Sequence, residues 1–169
     1  KTMSILGIFL FYCSISIYSQ IPDPSLPKDL INNPWYGKWI AVAGEPAKDY
    51  GVYHFRKKIQ LDKNTDTFLV HVSGDNRYKL FVNGNLVCLG PARGDVYHWN
   101  FETINLAPFL KAGTNTLAAV VWNFGVNDGP MAQMSLRTGF IMQGNSSVER
   151  KVDTDKSWKG IRNPAYSIL

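Results

Sequence analysis

RYKLFVNGNLVCLG, residues 77–90, is the stretch that decides the fold, because it contains two short apolar runs separated by Asn83-Gly84. Asn-Gly tolerates the positive φ angles of a two-residue hairpin turn, so the stretch predicts two antiparallel strands. In the first run alternate residues are apolar, and alternate side chains of a strand share one face. We therefore expect three of them to point into a core: Tyr78, Leu80 and Val82.

The segments before this hairpin also alternate with a period of two. GVYHFRKKIQL, residues 51–61, has an apolar face interrupted by Lys57, opposite a polar face, which is typical of a half-buried strand. TFLVHVS, residues 67–73, places His71 opposite its apolar residues. The residues predicted to face inward are Tyr53, Phe55, Ile59, Leu61, Phe68, Val70 and Val72.

The segments after the hairpin continue the strand character. VYHWNFETINL, residues 96–106, predicts a strand with Tyr97, Trp99 and Phe101 on one face. APFLKAGTN, residues 107–115, predicts a short helical turn that Gly113 ends in the left-handed conformation. TLAAVVWNF, residues 116–124, predicts a central strand covered on both sides, and MAQMSLRTGFIMQG, residues 131–144, predicts the last long strand. Short strands linked by turns favour an all-β fold, an antiparallel β-sandwich.

The start of the chain reads as a targeting segment followed by a linker. Residues 1–19 contain an apolar run from Ile5 to Ile17 before small Ser19, the layout of a secretory signal peptide, so we expect a secreted or periplasmic protein with no membrane span after cleavage. Acylation of Cys13 is the alternative, although bulky Tyr12 precedes it. Residues 20–34 are proline-rich and predict a linker. We expect the β-sandwich over 35–160 and, over 161–169, the start of a connection to a downstream domain.

Charge and cysteine content narrow the class of partner. The formal net charge is +5, and the basic residues are scattered apart from Arg56-Lys57-Lys58. That triplet lies in an alternating strand, which indicates a solvated face rather than a nucleic-acid patch. We expect no nucleic-acid partner. With the signal peptide removed, Cys88 has no cysteine to pair with, and its apolar neighbours predict a small buried side chain.

Several motifs together resemble a known family. FRKKIQL, LVHVSGDNRYKLFVNG, LAPFLKAGTNTLAAVVW and DTDKSWK follow one another as in the galactose-binding-like jelly rolls that precede catalytic domains in many glycoside hydrolases. The pattern runs from Trp35 to Trp158. KWIAVAG, GPARGDVYHWNFETINLAPFL, VVWNFG and MAQMSLRTGFIMQG are most similar to N-terminal modules of bacterial α-L-rhamnosidases of glycoside hydrolase family 78.

This resemblance implies a role without catalysis. Rhamnosidases of the family carry their paired catalytic carboxylates in a large downstream helical-barrel domain, so the partner expected here is a catalytic domain of the same polypeptide. The chain itself then serves as an accessory module, and carbohydrate is a further expected ligand. Two alternatives stay open: an autonomous carbohydrate-binding module, and an accessory domain of a β-galactosidase-like exo-glycosidase.

The residues themselves supply little catalytic chemistry. Glycoside hydrolysis needs two carboxyl groups across the scissile bond, and the spacing pairs none of the candidate carboxylates. The chain lacks a G-x-S-x-G nucleophile elbow, a glycine-rich phosphate loop and histidines at metal-ligand spacing. The carboxylates and histidines considered are Asp75, Asp95, Glu102, Asp128, His54, His71 and His98. We therefore predict no catalytic residue and no cofactor, calcium excepted.

A sugar-binding surface has more support. Sugar sites combine an aromatic side chain, which covers the apolar face of the ring, with a few polar groups that bind hydroxyls. Trp99 and Trp122 have a second interpretation as core residues. Asp75-Asn76 is either a tight turn or a Ca²⁺ contact. The candidate carbohydrate-binding residues are Asp75, Asn76, Arg93, Asp95, Trp99, Trp122 and Asn123.

Arg93-Gly94-Asp95 is a tripeptide best known as an integrin-adhesion signal. It follows the predicted hairpin and precedes an aromatic strand, so Gly94 is expected to bend a loop with both charges at its tip. The resemblance makes the tripeptide part of the longer GPARGDVYHW, which favours the loop over adhesion. Arg93 and Asp95 are then expected to face either a sugar or the catalytic domain.

Overall fold

Eight strands and two short 3₁₀ helices form the part of the chain that follows Trp35 in this computed structural model, which describes Leu30, 33–126, 135 and 137–167. The 3₁₀ helices are Ala107–Phe109 and Glu149–Val152. The strands are β1 (Gly51–Leu61), β2 (Leu69–Asp75), β3 (Arg77–Val82), β4 (Asn85–Gly90), β5 (Glu102–Asn105), β6 (Gly113–Asn123), β7 (Gly139–Gly144) and β8 (Lys159–Arg162).

The strands form two antiparallel sheets that enclose one core. Five strands lie in the order β4-β3-β6-β1-β8, and three lie in the order β5-β2-β7. Side chains from one face of each sheet meet between them, which confirms the predicted β-sandwich. Large side chains with at most 2% exposure in this core are Tyr53, Phe55, Phe68, Tyr78, Leu80, Leu106, Leu117, Phe140 and Met142.

The hairpin that decides the fold is confirmed. Asn83 and Gly84 take φ angles of 51° and 87° between β3 and β4, and Tyr78, Leu80 and Val82 are fully buried. The Asn83 amide also donates to the Phe109 carbonyl oxygen at 2.9 Å, which ties the hairpin tip to the turn before β6. Local turn chemistry and a long-range hydrogen bond therefore fix the same register.

The other segments agree with the sequence in part. β1 alternates as predicted. Gly113 has the expected positive φ, 89°, but the short helical turn ends at Phe109, and Gly113 begins β6. β6 is central, but the prediction that both of its faces are covered was wrong, because outer-face residues such as Val120 and Trp122 stay partly exposed. Cys88 is free and partly buried beside the core.

Some predicted segments fall outside the described residues. These are the signal peptide, including Cys13, most of the linker, and much of the first half of the last predicted strand, where 131–134 and 136 are not described. Within the described ranges we find no helix with the length and apolar character needed to span a bilayer.

Candidate functional site

A strap of residues 35–40 covers the outer face of the three-stranded sheet. Ile40 exchanges backbone hydrogen bonds with Phe140 of β7, at 2.9 and 3.0 Å. Earlier in the strap, the Gln143 side-chain oxygen accepts hydrogen bonds from the backbone NH groups of Tyr36 and Gly37. The strap therefore adds a short stretch beside β7 and brings aromatic side chains over the sheet.

His71 lies buried under this strap. Trp35 and Phe101 pack edge-to-face around its ring at centroid distances of 6.2 and 5.9 Å, and its ring nitrogens lie 3.0 Å from Thr103 Oγ1 and 3.3 Å from Asn145 Oδ1. Burial lowers the pKa of His71 below its ordinary value. Its position opposite the apolar face of β2 was predicted, and the strap explains why that face is not open to solvent.

Next to the buried aromatic residues, Trp39 and Trp99 form an exposed pair, which we call the aromatic platform. Their rings meet edge-to-face with centroids 5.0 Å apart, and 43% and 42% of their surfaces stay exposed. Gly139 makes room for Trp39, since a Cβ there would lie 2.8 Å from the Trp39 ring. The platform therefore depends on the strap, on the loop before β5 and on a glycine of β7.

The loop that carries Trp99 is closed by Asp95. Asp95 Oδ1 accepts hydrogen bonds from the backbone NH groups of Tyr97 and His98 at 2.7 and 2.9 Å, and Oδ2 lies 2.9 Å from His98 Nδ1. The hydrogen bond with His98 lowers the pKa of Asp95. Trp99 is fixed in turn, because its indole NH donates to the Val96 carbonyl oxygen at 3.0 Å.

This closed loop corrects the predicted strand over 96–106. Regular pairing begins only at Glu102, so Tyr97 and Trp99 stand on a loop, not on a strand face. Gly94 does bend the loop, as expected: a Cβ there would lie 2.3 Å from the His98 carbonyl oxygen. The Asp95 carboxylate forms hydrogen bonds within its own loop, whereas Arg93 is exposed. This arrangement favours a structural role of the tripeptide in the loop over the adhesive interpretation.

Glu102 anchors the other end of the loop from a buried position. Its carboxylate accepts hydrogen bonds from the Tyr78 hydroxyl at 2.6 Å and from the Ala92 NH at 2.8 Å. Gly90 makes this possible, since a Cβ there would lie 2.2 Å from Glu102 Oε2. Burial raises the pKa of Glu102 above its usual range. This carboxylate is therefore a structural cap on the loop.

Replacing Glu102 by glutamine is expected to change how stability depends on pH. The raised pKa means that the folded chain holds the Glu102 proton more tightly than the unfolded chain does. Stability therefore falls as the pH rises from the ordinary glutamate pKa through the raised one. Glu102→Gln removes this titration, keeps one oxygen that can accept from the Ala92 NH, and places an NH2 group that can donate to the Tyr78 hydroxyl oxygen.

The measurement is urea unfolding between pH 4 and 8 for both proteins. The free energy of unfolding of the wild type should decline relative to that of Glu102→Gln across the window. Burial also raises the pKa of Asp153. Its contribution to stability is the same in both proteins and cancels when one profile is subtracted from the other. Parallel profiles would contradict the role given to Glu102.

Three of the candidate sugar-binding residues form a buried joint between strands. Asp75 accepts a hydrogen bond from the Ser135 NH at 2.9 Å, and Asn76 Oδ1 accepts one from the Phe124 NH at 2.8 Å. Asn123 donates to Thr138 Oγ1 at 3.2 Å and accepts from the Gly125 NH at 2.8 Å. All three side chains are at most 2% exposed and hold loops together.

The described surroundings of Asp75 supply few oxygen ligands. Calcium takes six to eight oxygens, whereas Asp75 Oδ1 and Oδ2 already accept from the Asn76 amide and from Ser135. Among the described residues no group of three or more His, Cys, Asp or Glu side chains is placed to hold a metal ion. Both Asp75 carboxylate oxygens are therefore already used within the fold, and the calcium contact stays a prediction.

Trp122 lies on the outer face of the other sheet. It belongs to β6, its ring packs on Phe124 at 6.1 Å, and the Lys79 ammonium lies 5.8 Å from the ring centroid. The structure thus separates Trp122 from Trp99, and neither residue is in the buried core that was their alternative position. Sequence reasoning missed Trp39, since the only signal was a second tryptophan in WYGKW, 60 residues before its partner.

The candidate carboxylates do not form an open pair among the described residues. Asp75 and Glu102 are buried and hydrogen-bonded, and Asp95 closes its own loop. Asp128 lies outside the described residues. None of these described carboxylates therefore faces a second one across an open space that could hold a glycosidic bond.

Comparisons with known proteins agree with this fold. No protein-family model matches the chain, and no curated protein matches it significantly. Among solved structures, a GH78 family rhamnosidase of Bacillus sp. GL1 is 26% identical with a TM-score of 0.68, over 77% of this chain and 14% of that one. An α-L-rhamnosidase from Dictyoglumus thermophilum is 18% identical with a TM-score of 0.60, over 77% and 17% of the two chains.

A lectin from Pleurotus ostreatus, solved in complex with GalNAc, shares the fold as well. It is 21% identical with a TM-score of 0.51, over 74% of this chain and 36% of the lectin. The chain thus spans about one seventh of the Bacillus enzyme and about one sixth of the Dictyoglumus enzyme. From Trp35 onward, the chain is a β-sandwich that resembles one module of the much longer GH78 α-L-rhamnosidases.

Proposed function

We propose that this chain is a non-catalytic accessory module of a secreted α-L-rhamnosidase that acts on plant-type glycans, and that it supports the catalytic domain of the same polypeptide. The observation that carries this proposal is the similarity to one seventh of the Bacillus rhamnosidase, at 26% identity over 77% of the chain. The fold alone does not establish the role. The described carboxylates add support, since those considered for catalysis are either buried or closed within a loop.

The aromatic platform supports carbohydrate binding by the same module. Trp39 and Trp99 present large apolar surfaces to solvent, although Trp39 lies against Gly139 and the Trp99 indole NH donates to the Val96 carbonyl oxygen. Tryptophan offers a rigid ring for the apolar side of a sugar and an NH for a polar partner. Hydroxyl-binding groups stand close by in sequence, with Arg93 exposed and His98 at the loop tip. We place the glycan contact here, with the Trp122 surface as the control.

Trp99→Ala is expected to weaken glycan binding about tenfold, because a stacked aromatic ring contributes on the order of 1 kcal/mol beyond its buried area. Titration calorimetry with L-rhamnose and with neutral rhamnose-bearing plant oligosaccharides, which carry no carboxylate, measures the change. Trp122→Ala is the matched control: it removes the same ring from the opposite sheet and should leave the affinity within twofold. Equal losses from both variants, or no heat from any sugar, would remove the platform from the proposal.

Further arms of this titration separate the remaining alternatives. Turnover of an aryl rhamnoside by this chain would overturn the non-catalytic role. Galactosides in place of rhamnosides test the accessory domain of a β-galactosidase-like enzyme. Tight binding to a free glycan favours an autonomous binding module, for which the exposed platform is the specific observation. Repeating the titration with EDTA and with added Ca²⁺ tests the calcium contact at Asp75-Asn76.

A further inference from the structure

The strands of the five-stranded sheet place positive but no negative side chains on its outer face. Its strands expose four cationic side chains on this face, which we call the cationic face: Arg56, Lys58, Lys79 and Lys159. None of the five strands of this sheet contains an aspartate or a glutamate. The positive potential of the cationic face is therefore not neutralised by carboxylates from its own strands.

Other cations of the chain have carboxylate partners. Arg162 lies 3.0 Å from Glu45 and Lys57 lies 3.6 Å from Asp155. In the part of the chain that the structure describes, the four cations of the cationic face form no such ion pair. Solvated lysines are common on protein surfaces, and Lys48 and Lys63 also form no ion pair among the described residues, but four such cations share this one sheet face.

The strand register places two of these cations directly opposite each other. Arg56 of β1 is the cross-strand partner of Lys159 of β8, and like charges in that position destabilise a sheet. Lys58 follows Arg56 on the same face of β1, about 7 Å along the strand. An anion bound between these side chains would convert the repulsion into attraction.

The floor between the cations is flat and partly apolar. Ala118 and Phe81, on the neighbouring strands, continue the row from Arg56 across the sheet and are half-buried. Lys79 lies over the Trp122 ring. Five strands at about 4.8 Å spacing make a surface roughly 20 Å wide, which suits an extended polymer better than a single small anion.

The kind of occupant follows from this composition. The central parts of protein interfaces are depleted in lysine, and a second copy of this chain would bring cations against cations. A hydrated anionic chain leaves the ammonium groups partly in water and neutralises them. Resting on the proposed function, we propose that the cationic face binds a polyuronate, a polysaccharide with a carboxylate on successive sugar units, separately from the aromatic platform.

Binding of the chain to polygalacturonate at low ionic strength, by titration calorimetry, tests this proposal. Two neutralising pairs, Arg56→Gln/Lys159→Gln and Lys58→Gln/Lys79→Gln, should each weaken binding at least tenfold. The first also relieves a like-charge contact, so it should remain folded. Lys48→Gln/Lys63→Gln is the matched control, with the same net charge and both changes outside the strands, and it should stay within twofold of the wild type.

The remaining arms separate the sources of the charge effect. Binding should be lost in roughly 0.5 M NaCl, where the Debye length is a few ångströms, and a fully methyl-esterified polymer should not bind. Absence of binding to polygalacturonate, or equal losses in the control pair, would overturn the proposal. So would equal affinity for dextran sulfate or double-stranded DNA, which would mean a general polyanion effect. Trp99→Ala should retain polyuronate binding, so this test and that of the platform fail independently.

Discussion

The Phe140→Ala variant is expected to have a free energy of unfolding about 3–5 kcal/mol below that of the wild type. Phe140 is fully buried at the meeting point of both sheets. Its ring lies 6.0 Å from Phe55, 5.9 Å from Tyr78 and 5.5 Å from Trp158, measured between centroids. Removing the ring leaves a cavity that small shifts of these three aromatic neighbours cannot fill, so both the transfer and the cavity terms apply.

Urea unfolding followed by tryptophan fluorescence measures this loss. Phe140→Leu keeps part of the volume and should lose less than half as much. Tyr97→Ala removes a ring that is 88% exposed and should change stability by less than about 0.5 kcal/mol. A loss below about 1 kcal/mol for Phe140→Ala would mean that the core is not organised around this side chain.

Gly144→Ala is expected to cost about 3 kcal/mol, the upper end for overpacking, because the new methyl group meets backbone rather than a movable side chain. Its Cβ would lie 2.1 Å from the Glu149 carbonyl carbon and 2.5 Å from the Arg150 nitrogen. The Glu149 carboxylate also binds the backbone NH groups of Leu69 and Ser146, at 2.5 and 2.6 Å. Moving residue 149 away from β7 therefore strains several contacts at once.

Thermal and urea unfolding of Gly144→Ala, compared with Gly160→Ala, check this prediction. The three atoms nearest to a Cβ at Gly160 would be side-chain atoms of Phe55 and Val42, at 3.1 Å. Small shifts of those side chains accommodate it, so the loss should stay below about 1 kcal/mol. Similar losses at both positions would contradict the distinction between backbone and side-chain neighbours.

The sheets could be read from the sequence wherever local pattern and burial coincide. β1 and β3 alternate because one side of each faces the core, and Asn83-Gly84 has a backbone preference that needs no tertiary contact. The rule that alternating apolar residues form a strand failed for the loop before β5. Its aromatic residues also alternate, but the hydrogen bonds of Asp95 close the chain into a turn, and the period of the sequence does not report them.

The candidate site could be predicted only residue by residue. Trp99 was found by its type, but the second half of the platform, Trp39, is placed by the pairing of the strap with β7, a contact between distant parts of the sequence. Asp75, Asn76 and Asn123 have the right chemistry for a sugar site, yet they are used inside the fold. Residue type indicates what a side chain can bind, whereas burial decides whether a ligand can reach it.

The strap also has a consequence for the order of events during folding. One ring of the aromatic platform comes from residue 39 and the other from residue 99, and Gly139 leaves space for the first of them. Contacts across such sequence separations form late, since the entropy of closing long loops must be overcome first. In a chain whose hairpins have formed but whose strap has not yet paired with β7, Trp39 and Trp99 are therefore not in contact and the platform does not exist. The proposed glycan contact at this surface therefore requires the finished fold.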